Sequence, residues 1–416
     1  MSKKDVHTTH HHRGEARPWL AIVTCVVAFL AASSCGYREA TGDRAVQAYW
    51  ENLTEFPEPK VPLSEKLRVL IWRDYLDPKI LAFFEQRYHT KLEIVYFENN
   101  AELKAIFKKQ PNDFDLLMPS DYVVEGYVKD KEHRLLAPIR KENVPNLGHV
   151  KQVLFRSPYD PELVYSVPMF HSCLGITFNN KKLQHIPRDF TLQASSVDEN
   201  LMLFGYRALL DEPRVSLSSA LIDDGVNPNA PTPSALAATA DRLIKDVGNL
   251  GIKFMASSLP EKMINNEIML AVNWSGAAAV AAQKNPNIRF VLPSGPKFVQ
   301  VDSFVIPATS TRRYTAEFFL NFLLIPEISG ALTNYSLYAN SNNDSTPFIS
   351  RDILLGPAYM EPPHGSRIFF ADLGKIEEDF EREWGRIKQA SPTAKAKVPS
   401  LLKAKEEDMR KRDLVH

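Results

Sequence analysis

The sequence predicts an α/β protein in two lobes, and three observations carry that expectation. The chain has 416 residues, more than one ordinary domain holds. From Lys66 onward, short apolar and β-branched runs alternate with stretches of helical period, an order that favours a mainly parallel sheet. Hydrophobic residues make up 44% of the chain, enough for a large core without disulfide support. The 50 basic and 50 acidic residues balance, so no basic excess marks a nucleic-acid surface.

Residues 1–34 read as a targeting segment. Lys3, Lys4, Arg13 and Arg17 precede an apolar run from Trp19 to Ala32, which is short for a membrane span. Ala31-Ala32-Ser33-Ser34-Cys35 is similar to a bacterial lipobox, in which Cys35 takes the lipid and becomes the first mature residue. Ala32 stands where a branched aliphatic is usual, and ordinary signal cleavage or an uncleaved anchor is the alternative. The tract His7, His10, His11 and His12 lies upstream of the cut. Cys25 lies within the signal, so Cys173 is left alone in the exported domain and no disulfide is expected. Residues 35–65 are polar, with Pro57, Pro59 and Pro62, and read as a tether between membrane and domain.

The first strand is Lys66–Trp72, ending in the cluster Trp72-Arg73-Asp74-Tyr75. Pro78 opens a helix carrying Ile80, Leu81, Phe83, Phe84 and Tyr88. Lys91–Glu98 is a second strand, Asn100–Gln110 a helix and Phe114–Pro119 a third strand. Aromatics and a carboxylate at a strand's carboxyl end suit an organic cation, because open α/β sheets place ligands there. Taken alone, this stretch is better explained as a core strand whose tryptophan anchors the next helix. At Pro119-Ser120-Asp121-Tyr122, Ser120 or Asp121 can face a ligand or simply cap the next helix.

Glu162–Asn179 reads as two strands flanking a crossover, and Leu201–Leu210 as strand-like. Ala235–Val247 is an amphipathic helix with Ser234 placed to cap it. Ala277–Ala282 is a small-residue helix after Trp274-Ser275-Gly276. Asn287–Pro293 and Val301–Pro307 are strands, and Tyr314–Leu324 is an apolar helix closed by Pro326. Asn334–Asn343 is a turn-rich passage around Tyr338. Ile376–Ile387 is a helix in which Trp384 belongs to the core, and 391–416 is a charged tail.

Read together, these residues resemble the spermidine/putrescine-binding proteins, the periplasmic receptors of bacterial polyamine ABC transporters. The resemblance runs from about Lys66 to about Ala390. It rests on the order of several motifs: W-x-D-Y at Trp72–Tyr75, D-L-x-x-P-S-x-Y at Asp115–Tyr122 and Y-S-V-P at Tyr165–Pro168. W-S-G-x-A at Trp274–Ala278, V-D-S-x-x-I-P at Val301–Pro307 and N-F-L-L-x-P at Asn321–Pro326 follow. It implies a type II periplasmic-binding-protein fold, with a cleft between lobes that close over ligand. The first lobe would hold 66–170 and 303–336, the second 171–300 and 340–390, with a hinge near His171, Asp302 and Tyr338.

The resemblance also implies a ligand site. Trp72, Asp74 and Tyr75 match the first-strand cluster, Ser120 and Tyr122 the next polar contacts, and Trp274 a cleft tryptophan. Asp302 matches the carboxylate beside the hinge and Tyr338 the tyrosine near the last crossing. Three positions depart from the family. Val215 stands where a glutamate is usual, and Glu212, one turn earlier, is expected to replace it. Gln300 replaces an aromatic ring, and Arg73 replaces a small hydroxyl residue. The expected partners are a cationic polyamine and the membrane permease subunits of an importer, with no cofactor, metal or nucleic acid and a monomeric state. The alternative is the same fold with an amino-acid-like or anionic solute on Arg73. No G-x-S-x-G, H-E-x-x-H or metal-spaced Cys/His cluster marks an enzyme. His171 and Cys173 share one strand face without an orienting third group, so a packed crossing strand is expected.

Overall fold

The computed structural model describes residue 53 and residues 55–390, apart from 152–158 and 184. The signal segment, Cys35, most of the tether and the tail 391–416 lie outside the described residues.

Three parallel strands begin the sheet: β1 (Lys66–Trp72), β2 (Lys91–Phe97) and β3 (Leu116–Leu117). Val69 of β1 is in register with Ile94 on one side and Leu116 on the other. Leu67, Val69, Leu70 and Ile71 are all buried, as in a strand covered on both faces. The connection from β1 is the helix Pro78–Tyr88. The Asp77 carboxylate caps it by accepting from the Lys79 N–H, and Pro78 fills its first position. The helix buries Ile80, Phe84 and Tyr88. Phe84 meets Phe319 edge-on at 4.8 Å and tilts on Phe322 at 5.1 Å. Burying such a ring contributes about 1.5–3 kcal/mol.

β4 (Leu136–Ala137) is followed by β5 (Ser166–Asn179), every residue of which is buried. Then come β6 (Arg207–Leu210), β7 (Lys253–Met255), β8 (Leu270–Trp274), β9 (Ile288–Val291), β10 (Lys297–Pro307), β11 (Ala339–Asn340) and β12 (Arg367–Phe369). The main sheet order is β2-β1-β3-β10-β5-β8-β6-β7. Parallel triplets occupy the two ends, and β10 and β5 join them through antiparallel pairings. Phe170 faces both Asp302 of β10 and Asn340 of β11, so three chain passages lie side by side there.

Several boundaries differ from those expected. Residues 162–179 hold one continuous strand, not two around a crossover. Pro168 sits inside it, beside the register shift at Asp302/Ser303, where a strand tolerates proline. The third strand shortens to two residues, and Leu201–Leu210 divides into the end of a helix (Val197–Met202) and β6. The helix Pro233–Leu250 is capped by the Thr232 side chain rather than by Ser234. The turn-rich passage begins in the helix Pro326–Ser336.

The last part of the supposed tether is not free. The Lys60 N–H donates to the Tyr314 hydroxyl at 2.6 Å and the Ser64 N–H to Thr315 Oγ1 at 2.9 Å. Phe56 lies 4.8 Å from the ring of Phe83, with the Arg87 guanidinium over its face. Trp384 packs edge-on against Phe254 and donates Nε1–H to Asp211 at 2.9 Å, as a core residue should. Among the described residues no single helix is long and apolar enough to cross a membrane.

Candidate functional site

A cavity of about 420 Å³ opens at the carboxyl ends of β1, β6 and β8 and against the joining strand β10. Trp72, Asp74, Tyr75, Glu212, Trp274, Asp302 and Tyr338 all line it. These come from five separate segments of chain, which the sheet order brings together.

The β1 end shapes the first wall. Trp72 tilts against Phe97 at 4.5 Å, so it anchors the next strand and also faces the cavity. Asp74 adopts φ 62°, a left-handed conformation uncommon for a residue other than glycine. Asp74 is exposed while Tyr75 next to it is buried. The Tyr75 ring meets Tyr338 and Phe170, both at 4.8 Å.

Asp302 is the electrostatic centre. Its Oδ2 accepts from the Tyr75 hydroxyl at 2.7 Å. Its Oδ1 accepts from Ser120 Oγ at 2.7 Å and from Gln300 Nε2 at 3.2 Å. Burial pushes its pKa up to about 6, although all three donors pull the other way. Glu212 is pushed up to about 7, first by burial and then by the charge of Asp302, with the Asn100 amide opposing. Its Oε1 is buried with no partner among the described residues. Neither carboxylate forms an ion pair among the described residues.

Ser120 and Tyr122 do not line the cavity. Ser120 begins the helix Asp121–Lys129, but its side chain makes no cap; it donates to Asp302 and accepts from Asn100 Nδ2 at 2.9 Å. Tyr122 packs edge-on to Phe370 at 6.1 Å. Glu212 precedes the helix Pro213–Asp223 in an extended conformation, so it does not share a helical face with Val215. Val215 is fully buried in the core. Arg73 stands at the cavity mouth but pairs with Glu98 at 3.4 Å and lies over the Tyr96 ring at 5.0 Å.

Asn100, Ser172, Asn273 and Gln300 are polar groups of the site that the sequence does not single out as ligand contacts. Ser172 pairs directly with Gln300 across β5 and β10. A polar residue just before the Trp274 motif, and another on a crossing strand of mostly apolar residues, were the available signals. His171 and Cys173 sit behind the cavity. Burial pushes the imidazole down to about 3 and the thiol up to about 12, so near neutral pH the imidazole stays uncharged and the thiol stays protonated. Among the described residues no group of His, Cys, Asp or Glu is arranged to hold a metal ion.

Parallel end sheets, joining strands and a cavity lined from both sides define a two-lobed binding protein of the periplasmic type. The model of the bacterial extracellular solute-binding protein family matches residues 79–356, and the chain belongs to that family. The chain is 25% identical over 347 residues to the putrescine-binding periplasmic protein PotF of Escherichia coli, covering 78% of this chain and 92% of the relative. It is 26% identical over 303 residues to the spermidine/putrescine-binding periplasmic protein 1 of Haemophilus influenzae, covering 71% and 80%. A solved Listeria monocytogenes structure, described as a spermidine/putrescine ABC transporter, superposes with a TM-score of 0.70 at 25% identity. It covers 78% of this chain and 99% of that one.

Proposed function

We propose that this protein is the solute receptor of an ABC importer and captures a polyamine-type cation between its lobes. One observation carries the reading. Asp302 and Glu212 are acidic groups turned into one cavity, and among the described residues no basic side chain forms an ion pair with either, although the Arg214 charge weakly opposes the rise at Glu212. Buried carboxylates of this kind call for a cation, and an ammonium supplies it. The rings of Trp72, Tyr75, Trp274 and Tyr338 suit the methylene segments between ammoniums. Asp74 serves the ligand's outer end, while Ser120 acts by holding Asp302.

In this reading the lobes comprise 66–170 with 303–336 and 171–300 with 340–390. They bend where β5, β10 and β11 run side by side. The mature protein begins at a lipid-bearing Cys35, works outside the cytoplasmic membrane as a monomer and hands its cargo to permease subunits. It catalyses no reaction. Isothermal titration of the exported domain with putrescine and spermidine tests the ligand class. Saturable binding with heat is expected. A protein that binds neither, and is stabilised by no cation in a thermal-shift series, ends the proposal.

A further inference from the structure

Besides Glu212 Oε1, four polar atoms of cavity-lining residues are buried without a partner among the described residues: Trp72 Nε1, Ser172 Oγ, Asn273 Nδ2 and Gln300 Oε1. Two of them have a settled identity. Asp302, ionised at neutral pH, only accepts, so the Gln300 atom facing it is Nε2 and Oε1 is left as an acceptor. The Trp274 N–H needs an acceptor, so the Asn273 atom bonded to it is Oδ1 and Nδ2 is left as a donor. Trp72 Nε1 can only donate, and the Ser172 hydroxyl can do either. Asn273 is 1% exposed, Ser172 5% and Gln300 6%. At that depth a ligand is selected by how it answers these atoms.

An unmodified diamine or triamine carries only ammoniums and only donates. It serves Asp302, Glu212, Gln300 and Ser172, and leaves the N–H groups of Asn273 and Trp72 unanswered. A carboxylate only accepts. It leaves Gln300 unanswered and meets the buried negative charge of Asp302 beside Glu212. An amide does both, since its C=O accepts and its N–H donates. Met255, Ile264 and Val280 at the cavity wall offer apolar surface to an acyl carbon.

We propose that the preferred ligand is a cation bearing one amide, of the mono-N-acylated diamine class. Its ammonium lies against Asp302 and Glu212, and its amide bridges Gln300 with Asn273 and Trp72. This rests on the cation-receptor reading above and narrows it. Calorimetric titration with putrescine, N-acetylputrescine and 4-aminobutyrate separates the two. N-acetylputrescine should bind at least tenfold more tightly than putrescine, with 4-aminobutyrate weakest. Putrescine binding as tightly or more tightly overturns the amide proposal and leaves the cation receptor standing. Tightest binding of 4-aminobutyrate, or no binding of any of the three, overturns both.

Asn273→Asp keeps the Oδ1 acceptor for the Trp274 N–H and turns the free donor into an acceptor. It should reverse the order in favour of putrescine; a retained amide preference overturns the assignment. Trp72→Phe removes the indole donor and some ring area while keeping an aromatic face. It should cut the amide preference even if the Asn273 variant does not fold, and an undiminished preference there also counts against the proposal.

Discussion

The ring of Tyr338 lies directly on Gly276: a Cβ at that glycine would stand 2.4 Å from Tyr338 Cδ1. Tyr338 immediately precedes β11, and Gly276 is the second residue of the helix Ser275–Lys284 that follows Trp274. The same ring meets Tyr75 at 4.8 Å, so one tyrosine touches both walls of the cavity. Gly276→Ala should therefore displace Tyr338. Overpacking of this kind costs about 1–3 kcal/mol. We expect weaker ligand binding by about tenfold or more, read by titration, with a smaller change in melting temperature. Unchanged affinity would detach Tyr338 from the ligand.

Asp302→Asn should weaken binding of a cationic ligand by about 2–5 kcal/mol, the range for truncating a buried charge pair. The free protein should respond in the opposite sense, because its buried charge is not offset by a cation. The variant should then melt at a higher temperature than the parent at pH 7 in the absence of ligand. Loss of both binding and stability would assign Asp302 a structural role.

The acidic groups also set a pH dependence. Burial raises Asp302 to about 6 and Glu212 to about 7, above their unfolded values. The folded state therefore holds these protons more tightly than the unfolded chain. The stabilisation from that linkage is complete below about pH 4 and is lost as pH rises through about 6–7. Ligand binding runs the other way, since a cation binds the ionised forms. Titration at pH 6 in buffers of different ionisation enthalpy should show protons released on binding. Glu212→Gln should reduce that release, and an unaltered proton count would exclude Glu212.

Val215→Glu restores the glutamate that the family resemblance places at this position, and on the sequence alone it would be expected to tighten the site. The structure argues otherwise, because Val215 is fully buried and does not border the cavity. A charge there should destabilise the fold by about 4 kcal/mol or more, read as a lower denaturation midpoint. Tighter spermidine binding in this variant would show that the helix Pro213–Asp223 sits differently when ligand is bound.

Arg73→Ser tests the anionic alternative. Arg73 is exposed and already engaged by Glu98 and Tyr96. Its removal should change cation affinity by less than about 1 kcal/mol, as for other surface pairs. Abolished binding would restore an anionic ligand to consideration. The proposed lipid attachment at Cys35 has its own test: Cys35→Ala should move the protein into the aqueous phase of a detergent extraction, and unchanged partitioning would discard the anchor.

Much of the site was legible because its residues stand at the carboxyl ends of short strands. Trp72, Asp74 and Tyr75 follow β1, Glu212 follows β6 and Trp274 ends β8. Each is a chemically conspicuous residue at a punctuation mark in the pattern. The joining strands were harder to read. β5 is buried throughout, so it has no alternation, and Pro168 within it looks like a break. The role of Ser120 was hidden for another reason: the same position begins a helix, and only the packing shows its hydroxyl turned to Asp302. Ser172 and Asn273 gave no signal beyond polarity, since their significance lies in the bonds they lack.

The interleaving of the chain bears on how the protein is made. β3 must wait for β10 to complete its pairing, and Phe84 must wait for Phe319 and Phe322. Those partners leave the ribosome only after the whole β6–β9 region has been synthesised. The amino-terminal half therefore cannot close its core during early synthesis. Contacts so distant in sequence also slow folding. A nascent chain of this design stays open for most of its translation, the condition in which a polypeptide can be threaded through an export channel before it folds.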